Sequence, residues 1–203
     1  MEALATLGRT MGFSLAAGIN LYATVAILGL TQRFGWVTLP EQFKVFDHDW
    51  VIAVAGLLYV VEFVADKVPW IDSIWDSIHT LIRPVGGALI AVASLGDASP
   101  LVTGLIALLG GTVAASSHAS KAATRVAANA SPEPFSNWFL SFAEDFFVIG
   151  LSFLTLKFPL LALAVSAVIL ILIVWTARSI WKWLTKRGAQ GAQGAQSAQG
   201  AKT

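Results

Sequence analysis

Seven side chains able to do chemistry crowd one stretch, Glu62 to Pro84: Glu62, Asp66, Lys67, Asp72, Asp76, His79 and Arg83. Carboxylates can carry protons or cations, a histidine can pass a proton near neutral pH, and an arginine grips carboxylate or phosphate with a planar fork. Asp72, Asp76, His79 and Arg83 step by four, three and four, which puts them on one side of a helix. Trp70, Ile71, Ile74, Trp75, Ile78, Leu81 and Ile82 take the other side. That pattern fits a helix lying on a membrane surface with its charges in water. It also fits a helical metal site of Asp72, Asp76 and His79, although no supporting motif such as H-E-x-x-H accompanies it. A second set, His118, Lys121 and Arg125, falls at i, i+3 and i+7 and makes a basic stripe. Such a stripe suits an anionic solute or lipid headgroup, or the cytoplasmic end of a membrane helix. Glu144, Asp145 and Asn20 each lie in otherwise apolar runs.

The surroundings decide how these residues are read. The 203 residues are 56% hydrophobic and only 12% charged, with a mean hydropathy of +0.72. A soluble domain carries about 25% charged residues. Two windows of 20 residues, Ala98–Ser117 and Phe158–Ala177, contain no Asp, Glu, Lys or Arg, and that length spans about 30 Å of hydrocarbon. With no cysteine, disulfides, thiolate metal sites and thiol nucleophiles are excluded. The first apolar run lacks a basic leader and an A-x-A site, so it reads as a retained helix. The expected fold is an all-α polytopic membrane bundle of about six helices, residues 1–187, followed by a disordered Gly/Ala/Gln tail, 188–203.

The six expected crossings are Met11–Leu30, Trp50–Ala65, one built around Pro84–Leu95, Leu101–Ser117, one built around Phe146–Leu156, and Phe158–Ala177. In the first, Gly12, Ala16 and Asn20 recur every four residues and allow close helix approach; a local unwinding around Gly18 is the sharper alternative. The loop Gln32–Asp49 carries aromatic anchors and the triplet Asp47-His48-Asp49, a weak metal candidate. Pro84 with Gly86 and Gly87 predicts a kinked or broken helix. Ala107, Gly111, Ala115 and Ala119 form a small-residue stripe for helix packing or self-association. Ser131 with Pro132 predicts a helix start, and Asn129-Ala130-Ser131 matches the glycosylation pattern.

Two crossings are short of apolar length. Pro84–Leu95 has 12 uncharged residues, about 18 Å of helix, and Phe146–Leu156 has 11, about 16 Å. To cross, they must draw in Arg83 and His79, and Glu144 and Asp145. A charge at the bilayer centre costs about 2.5–3.5 kcal/mol, so these groups must face inward, pair or lose their charge. Arg83 is expected to pair with Glu144 or Asp145. Six crossings put both termini on one side, and the excess of Lys and Arg there makes it cytoplasmic. Division into three and three, with Ala23-Thr24 and Ala123-Thr124 in matching places, suggests an inverted repeat.

Gly18-x-Asn20-x-Tyr22, the run Val61-Glu62-Phe63-x-Ala65-Asp66-Lys67-x-Pro69, Asp72, Trp75-Asp76, His79 and Ile82-Arg83-Pro84 carry a family likeness. So do His118-x-x-Lys121, Asn129-x-Ser131-Pro132-x-Pro134-x-Ser136-Asn137 and Glu144-Asp145. In these motifs the chain resembles the bacterial multi-pass membrane proteins of domain-of-unknown-function family 4126, from about Leu7 to Arg187. The resemblance implies an inner-membrane location and carries no activity or catalytic residue.

The expected function is a small transporter or channel. His118, Lys121 and Arg125 would attract an anion, Glu62 and Glu144 would take protons or cations, and Arg83 would gate. The alternatives are a structural membrane protein and a metal-dependent membrane enzyme; the residues favour no enzyme, cofactor, metal or nucleic acid. The lipid bilayer is the expected partner, with homo-oligomers formed through small-residue faces.

Overall fold

A computed structural model of the chain describes residues 1–129 and 135–200. Its elements are α1 (Glu2–Ile19), α2 (Leu21–Phe34), a short 3-10 helix (Glu41–Phe46), α3 (Asp49–Ala65), α4 (Pro69–Leu95), α5 (Pro100–Asn129), α6 (Phe135–Lys157) and α7 (Pro159–Gly200). Among the described residues there is no strand, and the all-α bundle is as expected. Four helices are long and apolar enough to cross a membrane: α4, α5, α6 and the Pro159–Trp183 part of α7. At 17 residues, about 25 Å, α3 is slightly shorter. The helix start expected at Ser131–Pro132 falls within 130–134, as does most of the Asn129-Ala130-Ser131 pattern, outside the described residues.

The first expected crossing is not a crossing. Asn20 takes an extended conformation (φ −143°, ψ 98°) and separates α1 from α2. The first turn of α1 lines a cleft of about 580 Å³ with Lys157 to Leu161, at the junction of α6 and α7. The far end of α2 returns to the same place, where Lys157 Nζ donates to the Trp36 carbonyl at 3.2 Å. Between these points Gly12 lies on Thr155, and Asn20 reaches Asp145 in the middle of α6. α1 and α2 therefore form a re-entrant hairpin, entering and leaving by one end of the bundle with its tip at Asn20. The 14 residues of α2 set its depth at about 21 Å.

This changes the expected topology. α3 to α7 alternate in direction, so the Met1 end of α1 and the basic end of α7 lie at opposite ends of the bundle. Both termini on one side, and a first half matching the second as three crossings, do not survive, because α1–α2 doubles back where α5 runs straight. The break falls two residues beyond Gly18, at a residue whose side chain caps the next helix: Asn20 Oδ1 accepts from Ala23 N at 2.9 Å. α4 is not broken at Pro84; it is one helix of 27 residues. Gly87 and Gly110 bring α4 and α5 into close contact just beyond the proline. The Gly-Ala-Gln repeat, expected to be disordered, continues α7 as far as Gly200; its Ala and Gln are good helix formers.

Small residues make the hairpin fit. A side chain at Gly8 would strike the Pro159 carbonyl, one at Gly12 the Thr155 side chain, and one at Gly18 the Ala114 carbonyl and Ser117. These faces are used within the chain. At the hairpin's open end, Phe13, Phe43, Phe46, Leu28 and Ile90 make an apolar plug. In the loop beside it, Asp47 and Asp49 hold Arg33 at 2.8 and 2.7 Å, while His48 Nδ1 accepts from Trp50 N at 3.3 Å. The two carboxylates are taken by Arg33 and the imidazole turns to the backbone, so the triplet does not converge on a metal. There too, the Lys44 ammonium holds the Glu41 carboxyl below its usual value.

Candidate functional site: a buried charged network beneath the hairpin tip

α4 is amphipathic the wrong way round for water. Asp72, Asp76, His79 and Arg83 are buried, whereas Trp70, Ile74, Ile78 and Leu81 are exposed. In water such a helix would leave its apolar face unburied; in lipid that face is satisfied and the polar face must find partners inside. The sequence left open whether Asp72 and Asp76 sit in interfacial water or inside; both are buried within the bundle.

The stripes of α4 and α5 run antiparallel and zip together. Arg83, fully buried midway along α4, donates to Glu62 Oε1 at 2.8 Å, to Asp76 Oδ1 at 3.1 Å and to His118 Nδ1 at 2.7 Å. A guanidinium only donates, so His118 accepts through Nδ1 and is the neutral tautomer with its proton on Nε2. That N–H faces Thr80 Oγ1 at 3.3 Å. Lys121 reaches Glu62 at 3.2 Å, Asp66 at 3.1 Å and Glu144 at 3.3 Å. Arg125 takes Glu144 at 2.6 Å and Asp66 at 3.0 Å, with Asp72 at 3.9 Å. Arg83 therefore pairs with Glu62 and Asp76, not with Glu144 or Asp145 as expected. The acids of α6 lie one to two helical turns further along, opposite Lys121 and Arg125.

Asn20 connects the hairpin tip to the network: its Nδ2 donates to Asp145 Oδ1 at 3.3 Å. The adjacent Ile19 carbonyl accepts from Lys121 at 3.3 Å. A cation thus meets the C-terminal end of α1 and a carboxylate the N-terminal end of α2, the favourable arrangement of charge on helix ends. His79 donates through Nδ1 to the Trp75 carbonyl at 2.7 Å and accepts at Nε2 from the Tyr22 hydroxyl at 2.8 Å.

Every expected site residue thus belongs to this buried assembly: Glu62, Asp66, Asp72, Asp76, His79, Arg83, His118, Lys121, Arg125, Glu144, Asp145 and Asn20. As a metal site, Asp72, Asp76 and His79 fail on geometry. Asp72 goes to Asn129 at 3.0 Å, Asp76 to Arg83 and His79 to Tyr22. Among the described residues no three His, Asp or Glu side chains are grouped to hold a metal ion.

Tyr22, Thr80, Asn129 and Asn137 also contribute and were not among the expected site residues, although all but Thr80 lie in the motifs that carry the family likeness. The signal for Asn129 was there: with Lys121 and Arg125 it continues a step of four. It donates to Asp72 and accepts from Asn137 at 2.7 Å.

Two clefts flank the network. One of about 170 Å³ is lined by Asp72, Asp76, Thr80 and Arg125. The other, of about 230 Å³ between α5, α6 and α7, is lined by Lys121, Glu144, Ser117 and Thr124 with Ile169 and Ile173.

Lipid-facing apolar helices around an inward-turned charged network define a polytopic helical membrane protein. Residues 7–179 match the family described as domain of unknown function DUF4126, and the chain belongs to that family. Comparison with curated proteins and with solved structures gives no match.

Proposed function

We propose that the protein is a small transporter or channel whose translocation path passes the buried network between the hairpin tip and the Asp72–Arg125 cleft. One observation carries this reading: a re-entrant hairpin ends inside the bundle, at a cluster of charges. Helix breaks at membrane depth are tolerated where they line a polar path, and ionisable groups there serve ion or substrate movement.

The charge balance refines the reading. The carboxylates Glu62, Asp66, Asp72, Asp76, Glu144 and Asp145 outnumber the buried bases Arg83, Lys121 and Arg125. All three bases are already engaged, which disfavours an anion or lipid headgroup as cargo and favours a proton or another cation moving past the acids. The positive-inside rule places the end bearing Arg178 and Lys182 in the cytoplasm of a bacterial inner membrane, with the Met1 end outside.

The test is flux into proteoliposomes loaded with a pH-reporting dye, under imposed pH and salt gradients, wild type beside Glu62→Gln and Arg83→Ala. Proton or cation movement in the wild type, lost in both variants, supports transport. Liposomes as tight as protein-free ones under every gradient reject it. The second reading, a scaffold locked by charge, is favoured by the ion pairs that engage Arg83, Lys121 and Arg125, and sealed liposomes would support it.

A further inference from the structure

Asp145 stands apart from the other acids of the network. Glu62, Asp66, Asp72, Asp76 and Glu144 each have a basic partner within 4 Å. Asp145 has only the neutral Asn20 amide at 3.3 Å, its Oδ2 has no hydrogen-bond partner, and it is 8% exposed. The groups facing it are Tyr59 and Glu62 from α3, Asp66 and Lys67 from the α3–α4 turn, and Lys121 from α5. Neither cation forms an ion pair with it. Lys121 is held by Glu62, Asp66 and Glu144. Lys67 donates to the Phe63 carbonyl at 2.8 Å and to Ser141 at 3.1 Å, with its ammonium 3.0 Å from the Phe63 ring centre.

We propose that Asp145 is the proton-carrying residue of the transport cycle, binding and releasing H⁺ at the hairpin tip. This rests on the transport reading above. The Asn20 geometry says what the proton does. Asn20 Oδ1 is committed to capping α2, so only its amide N–H faces Asp145. Ionised Asp145 accepts that N–H at 3.3 Å and ties the tip to α6. A proton on Oδ2 removes the charge that strengthens this bond and finds no acceptor on Asn20. Proton uptake thus weakens the contact between the tip and α6, while Lys121 on the Ile19 carbonyl and the packing at Gly18 keep the hairpin seated.

The test needs no substrate. Dicyclohexylcarbodiimide enters bilayers and adds to a protonated carboxyl to give an O-acylisourea, which rearranges to a stable N-acylurea. The intact protein in liposomes is treated across a pH series, in sodium chloride or choline chloride, and labelled residues are located by mass spectrometry. The expected result is labelling concentrated on Asp145, falling about tenfold per pH unit once the group is mostly ionised, and indifferent to sodium. In parallel, a carboxylic-acid infrared band should titrate over the same range and be missing from Asp145→Asn, a readout independent of reagent access. Protection by sodium would overturn the proton assignment in favour of a metal cation. Equal labelling of Glu62 or Asp72, or no titrating band, would overturn the choice of Asp145. Failure of the flux assay leaves this measurement standing, so the two readings fail separately.

Discussion

Arg83 makes three contacts with three separate elements, to Glu62 on α3, Asp76 on its own helix and His118 on α5. Removing one partner of a buried ion pair leaves the other charged and unsolvated, which costs about 3–5 kcal/mol. Arg83→Ala should destabilise the purified protein by that amount in detergent unfolding. Arg83→Lys should recover little, because an ammonium cannot reproduce the planar fork. Arg125 and Glu144 meet through two contacts, at 3.1 and 2.6 Å. Arg125→Gln with Glu144→Gln should be no worse than either single change; additive losses in the same assay would reject that pair. The presence of buried charge was legible from residue types and apolar length. Which acid meets which base was not, because that depends on where α3 and α6 sit against the α4–α5 pair, a tertiary fact no local spacing encodes.

At the scale of elements, the hairpin is held by close backbone approach. Any side chain at Gly18 collides with Ala114 and Ser117, whereas Gly56 has nothing within 4 Å of a added Cβ. Gly18→Val should therefore cost about 1–3 kcal/mol or more and loosen the tip. Gly56→Ala should be neutral or stabilise by up to about 1 kcal/mol. Unfolding midpoints compare the two directly, and equal effects would contradict the packing described. Asn20 shows why the turn was hard to read. Met11–Leu30 has the length and greasiness of a crossing, and one asparagine among small residues resembles a packing contact. Its role as break and cap follows only once α6 offers Asp145 and α5 offers Lys121 to the exposed helix ends. Pro84 differs: its local rule predicts a kink or a break, and α4 runs through it without a break.

Across the whole molecule, the Met1 end of α1 and the basic end of α7 lie at opposite ends of the bundle. The chain contains no cysteine, so single cysteines report sidedness without background. Glu2→Cys and Val45→Cys should react with an impermeant maleimide from one side of sealed vesicles, and Lys182→Cys from the other. Labelling of Glu2→Cys and Lys182→Cys from the same side would restore an ordinary crossing in place of the hairpin.

The hairpin is synthesised before α4, α5, α6 and α7, the helices that supply the walls enclosing it. Its glycine-lined surfaces and the polar Asn20 tip have no finished berth while the ribosome is still making the second half. Assembly must therefore park α1–α2 at the membrane boundary and seat it late. Truncations ending before α6 should leave the first 34 residues open to protease, and the complete chain should shield them.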